Sequence, residues 1–226
     1  MQDHLQAALA QIAGHPLEVT AAGRTDAGVH ATAQVVHFDT ESEREESAWV
    51  RGTNSALPAR MRVLWARGVP DDFHARFSAR ARTYRYLLLN EPVAPAILHG
   101  RIGWYHRPLD LAAMREGARI LEGEHDFSAF RDAQCQAKSP LRNVTTAAIE
   151  QGGSTFDFTF TANAFLHHMV RNMVGSLVYV GAGKHPPEWI GELIASRDRR
   201  LAAPTFMPDG LYLAGVAYDS AFDLPP

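Results

Sequence analysis

The 226-residue sequence contains one cysteine, Cys135, and only two lysines, Lys138 and Lys184. A single cysteine excludes an internal disulfide and a zinc site built from cysteines, and it is typical of a reducing compartment. No apolar run approaches the roughly 20 residues that a membrane-spanning helix needs, and the N-terminus lacks the pattern of a secretion signal. These absences predict a cytoplasmic protein that does not span a membrane.

The overall composition is that of an ordinary globular protein, with 46% hydrophobic and 21% charged residues. Its length allows one large domain or two small ones. The formal net charge of -3 gives no general sign of a nucleic-acid partner, so RNA binding would have to come from local clusters of arginine. Arginine binds phosphates in pairs of hydrogen bonds and stacks on bases, but its frequent use here is explained equally well by a GC-rich genome.

The most informative stretch is Gly23-Arg24-Thr25-Asp26-Ala27-Gly28-Val29-His30, which lies between two strand-like runs. The glycines on either side of Asp26 allow a tight loop that presents one carboxylate. Arg24 is close enough in sequence to orient that carboxylate and to lower its pKa. The pattern indicates either a reaction site or an ordinary connection in which Asp26 caps a turn.

Hydrophobic periodicity predicts the secondary structure of the remaining chain. Helices are predicted at residues 2–13, 42–54 (opened by a capping box), 111–121, 166–180 and 187–196, and strands at 17–21, 34–38, 61–66, 79–89, 141–150, 154–162 and 210–218. If a leading strand is added, each half follows the order helix, strand, strand, helix, strand. The order predicts an α+β fold of two similar halves, 1–78 and 79–226, whose sheets join with a cleft at the junction.

The strand at 79–89 places Arg80, Arg82, Tyr84 and Tyr86 on one face. This face is either an RNA-binding stripe or a part of the core in which tyrosine hydroxyls reach the edge. We predict that Tyr86 lies in the core and leave both alternatives open for Tyr84.

The helix at 166–180 has a continuous apolar stripe at helical spacing. Its opposite face carries His167, His168, Arg171, Asn172 and Gly175, which predicts close approach of another backbone or a nucleic acid. Adjacent histidines are expected to diverge on a helix, which argues against a metal site. A metal-dependent hydrolase that uses these histidines is nevertheless a competing function.

Two further segments leave alternatives open. The polar stretch at 124–142 contains Arg131, Lys138 and Arg142. It is either a basic loop that contacts RNA or a loop that is simply exposed to solvent, since both would have this composition. The run from Gly181 to Lys184 resembles a phosphate-binding loop, but it follows a helix and lacks a required glycine, so nucleotide hydrolysis is not expected.

Six motifs in order resemble those of the tRNA pseudouridine synthase A family. They are Gly-Arg-Thr-Asp-Ala-Gly-Val-His with Gln34–Phe38, then Phe73–Ser78, Tyr84–Tyr86, Gly123–Phe127, Asn163–Asn172 and Gly210–Leu213. The resemblance covers nearly the whole chain. It implies the pseudouridine synthase fold, with a mostly antiparallel sheet, helices packed on it and an active-site cleft between two halves.

The resemblance also implies roles for five residues. Asp26 would be the nucleophile, acting on C1' of the ribose, on C6 of the uracil, or through a glycal. Arg171 would pair with Asp26, Tyr84 would stack on the target uracil, and Leu213 would form an apolar pocket wall. Arg24 would contact an RNA phosphate or fill the place of the flipped base.

The partners implied in the same way are the anticodon stem-loop of tRNA, at about positions 38 to 40, and a second copy of the chain in a homodimer. Neither a cofactor nor a metal is implied. Family members begin with a strand before the first helix, and Met1 stands where that helix starts, so we expect a shortened chain. A catalytically impaired RNA-binding protein of the same fold is therefore the alternative function.

Overall fold

The computed structural model describes residues 1–225, which form five helices and nine strands. The helices are α1 (Gln2–Ala13), α2 (Glu46–Ala56), α3 (Leu111–Ile120), α4 (Met169–Gly181) and α5 (Trp189–Ser196). The strands are β1 (Thr20–Ala21), β2 (His30–Ala31), β3 (Val36–His37), β4 (Ala81–Asn90), β5 (Gly103–Tyr105), β6 (Gly123–Asp126), β7 (Leu141–Gly152), β8 (Thr155–Ala162) and β9 (Leu211–Ala217). This mixture confirms the predicted α+β class.

The described chain forms two compact units. The first contains Met1–Arg24, Gln34–Arg80 and the chain from Ala217 onward, and the second contains Thr25–Ala33 and Ala81–Val216. The division into halves at residues 78 and 79, with a cleft between them, stays a prediction. No helix in residues 1–225 combines the length and the apolarity needed to cross a bilayer.

In the first unit, α1 and α2 pack together beside the two-stranded antiparallel sheet of β1 and β3. Leu9 and Ala13 of α1 and Trp49 of α2 are buried in its small core. A Cβ atom on Gly52 would lie 2.5 Å from Cδ1 of Ile12, so glycine lets the two helices approach closely. As predicted, α1 stops at Gly14, whose φ of 79° is left-handed.

The second unit contains a seven-stranded mixed sheet. Its order is β2, β9, β4, β8, β7 and β6, and β5 also pairs with β4. The pairs β2 with β9 and β4 with β5 are parallel, whereas β8 runs antiparallel to β4 and β7, and β6 antiparallel to β7. Because β2 begins at His30, just after the turn that contains Asp26, this sheet carries the loop of interest.

The β7–β8 hairpin supplies much of the core of the second unit. Every second residue of β8 is buried, and Phe158 and Phe160 have no exposed surface. Met114 of α3 and Leu177 of α4 belong to the same core. The alternation predicted from the phenylalanines is therefore confirmed, and each buried ring contributes about 2–3 kcal/mol of hydrophobic free energy.

The body of α4 is buried more completely than an amphipathic helix would be. Its apolar stripe faces the core, but Asn172 is also buried, with its amide donating to the Phe130 carbonyl. The prediction that Asn172 lies on a polar face was wrong because this tertiary hydrogen bond takes it inside. A Cβ on Gly175 would lie 2.6 Å from the Pro204 carbonyl oxygen, so the predicted close approach of another backbone is confirmed.

Three local predictions fail, and two short strands were not predicted at all. No strand forms at residues 61–66. Helix α2 begins at Glu46 without a side-chain cap, because the Ser42 hydroxyl donates to the Ala13 carbonyl instead. The polar stretch at 124–142 was expected to be irregular, but β6 covers its first residues and pairs with β7. The two- and three-residue strands β2 and β5 had no sequence signal.

Candidate active site

Asp26 begins a tight turn. The Val29 amide donates to the Asp26 carbonyl at 3.0 Å, and Gly28 has a φ of 83°, a conformation that favours glycine. A Cβ on Gly28 would also lie 2.8 Å from Cγ of Pro208. Only the second of the two predicted glycines, Gly28 and not Gly23, has a positive φ.

The turn is anchored to the sheet through β2. Ala31 pairs with Leu213 of β9, and the Leu213 carbonyl accepts hydrogen bonds from the amides of Thr32 and Ala33 at 2.9 and 3.2 Å. Nε2 of the His30 ring donates a hydrogen bond to the Gly100 carbonyl at 2.9 Å. Leu213 is fully buried beside this anchor. The sheet therefore fixes the chain on the C-terminal side of Asp26.

Three cationic or potentially cationic side chains surround the Asp26 carboxylate. Nε2 of His167 lies 3.3 Å from Oδ1, Nε2 of His168 lies 3.2 Å from Oδ2, and a terminal nitrogen of Arg171 lies 3.9 Å from Oδ2. The Asp26 side chain keeps 30% of its surface exposed. The carboxylate is therefore oriented from one side and remains accessible.

The two histidines meet because they precede α4 instead of lying on it. The helix begins at Met169, and His168, with a φ of 60°, is its N-cap residue. This left-handed residue turns the chain so that the two imidazole rings stack with their centroids 3.9 Å apart. The prediction that the side chains diverge on a helix was wrong for this reason.

Arg171 lies in the first turn of α4. Its Nε donates to the Phe206 carbonyl at 2.7 Å, and the Phe206 amide donates back to the Arg171 carbonyl at 3.3 Å. Burial lowers the pKa of the Arg171 guanidinium from its ordinary value, and the carboxylate of Asp26 opposes that shift. The predicted pairing of Arg171 with Asp26 is therefore present at the long end of ion-pair distance.

Tyr84 lies on β4 and is half-buried, with its ring edge-on to Phe165 at 5.1 Å. Burial raises the pKa of Tyr84 to about 12, and the charge of Asp26 adds to the shift. Tyr86 is fully buried and its hydroxyl donates to the Met207 carbonyl at 2.9 Å. The prediction that Tyr86 lies in the core is confirmed, and Tyr84 lies within electrostatic reach of Asp26.

Comparisons with known proteins identify the family of the chain. A sequence model of a family described as tRNA pseudouridine synthase matches residues 1–78 and 118–219. The chain belongs to this family. The resemblance predicted from the six motifs is confirmed.

Relatives of this family member match it over its full length. It is 59% identical over 225 residues to the tRNA pseudouridine synthase A of Methylobacillus flagellatus, and the match covers 100% of the chain and 86% of the relative. The corresponding proteins of Aromatoleum aromaticum and Dechloromonas aromatica are 60% and 58% identical, again over 100% of the chain and over 85% and 86% of the relatives.

In this family member the remaining predicted residue, Arg24, belongs to the first unit and has an exposed side chain. The residues that the second unit brings within 4 Å of the Asp26 carboxylate are His167, His168 and Arg171. The predicted role of Arg24 in RNA contact therefore stays a prediction.

The structure adds three residues to the predicted site: His167 and His168, which the sequence analysis considered only for a competing hydrolase, and Asp132, which it missed altogether. Asp132 accepts a hydrogen bond from Nδ1 of His168 at 2.8 Å, and one of its oxygens lies 3.3 Å from Nδ1 of His167. The pKa of Asp132 is lowered, chiefly by the hydrogen bond from the Gln134 amide. Asp132 lay in the polar stretch at 124–142, where the sequence analysis considered only the cations.

Proposed function

We propose that this chain isomerises uridine to pseudouridine in tRNA and that Asp26 is the nucleophile. The observation that carries the proposal is an accessible carboxylate fixed on a turn of the sheet and oriented by His167, His168 and Arg171 at 3.2 to 3.9 Å. Oriented groups lower a reaction barrier because their positional entropy is lost before the substrate reacts.

The reaction needs one such group and no redox partner. The N1–C1' bond of uridine breaks, the uracil turns in the pocket, and C5 bonds to C1'. The proton on C5 then leaves and N1 ends protonated, so atoms and electrons balance without hydrolysis. Attack by Asp26 on C1', attack on C6, and departure through a glycal all remain compatible with this arrangement.

Three other residues take supporting roles in the proposal. Tyr84 stacks on the target uracil, Arg171 holds the Asp26 carboxylate, and Leu213 closes the pocket with an apolar wall. Taking a base out of its stack costs a few kcal/mol, and stacking on an aromatic ring returns about 1–3 kcal/mol. Burial raises the pKa of the Tyr84 hydroxyl to about 12, which supports a ring that acts as a neutral platform.

The proposed substrate and assembly are those that the family resemblance implies. The uridines are those of the anticodon stem-loop at about positions 38 to 40. A homodimer, RNA contact through Arg24 and a cytoplasmic location complete the proposal. The relatives named above are called tRNA pseudouridine synthase A, which supports tRNA as the substrate. The alternative of a catalytically impaired RNA-binding protein has no support from them.

The test is the release of tritium from C5-labelled uridine in tRNA. We expect Asp26→Asn to lose at least about a thousandfold in rate, because the amide is not a nucleophile, with tRNA affinity changed less than about threefold. Asp71→Asn, at an exposed position, is the matched control and should release tritium at the wild-type rate. Unchanged turnover in Asp26→Asn would refute the assignment. Wild-type protein that binds tRNA but releases no tritium would favour the impaired alternative.

A further inference from the structure

The arrangement around the histidine pair poses a problem of hydrogen bonding. The stacked rings of His167 and His168 lie between two carboxylates, with both Nε2 atoms 3.2 to 3.3 Å from Asp26 and both Nδ1 atoms 2.8 to 3.3 Å from Asp132. An ionised carboxylate only accepts hydrogen bonds. Each ring therefore faces an acceptor on both sides.

A neutral imidazole has one N–H group and one lone pair. The hydrogen bond from Nδ1 of His168 to Asp132 uses the N–H, so the lone pair on Nε2 points towards an oxygen of Asp26. Lone pair and carboxylate repel each other at 3.2 Å. A metal ion placed between them would be attracted by both the lone pair and the carboxylate.

The donor atoms have the spacing of a metal site. One atom each from Asp26, His167 and His168 lies within 4.8 Å of the other two. Ligands placed about 2.0–2.1 Å from a tetrahedral zinc ion are about 3.4 Å apart. Nε2 of His167 lies 3.3 Å from Oδ1 of Asp26 and Nε2 of His168 lies 3.2 Å from Oδ2, so each imidazole faces its own carboxylate oxygen at a similar spacing. Two imidazoles and a carboxylate favour zinc over magnesium, which prefers oxygen ligands.

Asp132 faces the Nδ1 atoms of both histidines, on the side of the rings opposite Asp26. Metal-bound histidines usually donate their other ring N–H to a carboxylate, which fixes the tautomer and the ring orientation. His168 does this directly, whereas Nδ1 of His167 is buried without a hydrogen bond and only 3.3 Å from Asp132, so a small ring rotation would align it. The exposed part of Asp26 leaves a fourth position open.

We propose that Asp26, His167 and His168 bind a divalent transition-metal ion, zinc by preference, with Asp132 orienting the histidines. A bound ion would occupy the oxygens of Asp26 and so inhibit the isomerase; this consequence rests on the proposed function, but the site itself does not. The Arg171 cation, 3.9 Å from Asp26, opposes binding by charge repulsion, so the ion is exchangeable and not a permanent part of the fold.

The test is a titration of metal-free protein with Co²⁺, whose visible absorption reports coordination by nitrogen and oxygen ligands, followed by displacement with Zn²⁺. We expect one ion per chain. Asp26→Asn, His167→Gln and His168→Gln should each weaken binding at least about tenfold, and Asp132→Asn about 10- to 100-fold. His99→Ala, which removes an exposed imidazole elsewhere, is the control and should bind as the wild type does.

Two further measurements, thermal unfolding and inhibition of tritium release, make the outcome unambiguous. Cooperative thermal unfolding of each variant shows that lost binding is not lost folding, and glutamine retains a polar side chain at each histidine position. In the tritium-release assay, Zn²⁺ should inhibit the wild type and a chelator should restore the rate.

The two proposals can fail separately. No cobalt spectrum, or one that survives in both glutamine variants, would overturn the metal site while tritium release stands. Metal binding by a protein that releases no tritium with or without chelator would leave the site standing and remove the proposed function. Stimulation by Zn²⁺ would overturn the inhibitory role.

Discussion

Two segments bring a carboxylate to the same pair of histidines, and they do it in different ways. The Asp26 turn, residues 26–29, has one internal backbone hydrogen bond and a glycine with a positive φ, and its carboxylate is partly exposed. The support segment, residues 126–135, is held by many bonds to its own backbone and to His167. The first segment presents a reactive group, whereas the second holds its neighbours in place.

The connections of the support segment show how it does so. The Asp132 amide donates to the His167 carbonyl at 3.1 Å, and the His167 amide donates to the sulfur of Cys135 at 3.4 Å. Arg131 donates to the carbonyls of Cys135 and Ala137 at 2.8 and 2.9 Å. These bonds connect the segment to the chain that enters α4. Changes in the Asp26 turn should therefore affect turnover first, and changes in the support segment should affect stability first.

Among the changes that test this contrast, we expect Gly28→Ala to have the largest effect on the rate of tritium release. Alanine at a φ of 83° is strained by about 1–2 kcal/mol, and its Cβ would meet Cγ of Pro208 at 2.8 Å. Displacement of the turn by about 1 Å should lower the rate of tritium release about 100-fold. Gly152→Ala, whose Cβ would meet nothing within 4 Å, is the control. Equal rates in the two variants would show that the turn conformation does not position Asp26.

The second effect is expected for Arg131→Ala in the support segment. The change leaves two carbonyl groups without their charged donor, so the free energy of unfolding in urea should fall by about 1–3 kcal/mol. Turnover at a temperature where the variant is folded should fall less than in Gly28→Ala. Lys138→Ala, at an exposed cation in the same stretch, should leave stability unchanged.

The same pair of variants decides between the alternatives that the sequence left open for this stretch. If its cations contact RNA, both variants should weaken tRNA binding and reduce its dependence on salt. If Arg131 acts on the protein backbone, as its hydrogen bonds indicate, tRNA affinity should remain at the wild-type level in Arg131→Ala. A loss of affinity without a loss of stability would contradict the structural role.

Local signals were enough for the long elements and for the position of Asp26. The apolar stripe of α4 and the alternating phenylalanines of β8 appear directly in the sequence, because each repeats the period of its own secondary structure. The turn around Asp26 is marked by Gly28, whose positive φ depends on local backbone geometry.

The histidine pair and Asp132 depend on contacts that no local pattern contains. The observed start of α4 lies three residues after the predicted one, because His168 adopts a left-handed conformation at the N-cap. The ring of His168 is held there by its hydrogen bond to Asp132. Sequence separation between Asp132 and His168 is 36 residues, so only the folded chain relates them. The capping box at Ser42 failed for the same reason, since its hydroxyl bonds a distant helix end.

The smallest effect concerns Asp126, the first residue of the support segment. Burial by itself raises the pKa of Asp126, but hydrogen bonds from Ser128 and the charge of Arg197 outweigh it and lower the pKa. A carboxyl whose folded pKa is depressed stabilises the protein above its unfolded pKa of about 3.9 and loses that contribution as the pH falls through the folded value.

Asp126→Asn should therefore be less stable than the wild type at pH 7 by no more than about 1 kcal/mol, and the difference should shrink as the pH falls below about 4. Urea unfolding at several pH values measures this difference, with Asp71→Asn as the exposed control. Turnover at pH 7 should be unchanged, because Asp126 supports the segment at its far end from the histidines. A stability difference that is the same at every pH would contradict the electrostatic role of Asp126, because at low pH the carboxyl is uncharged, as Asn is at every pH.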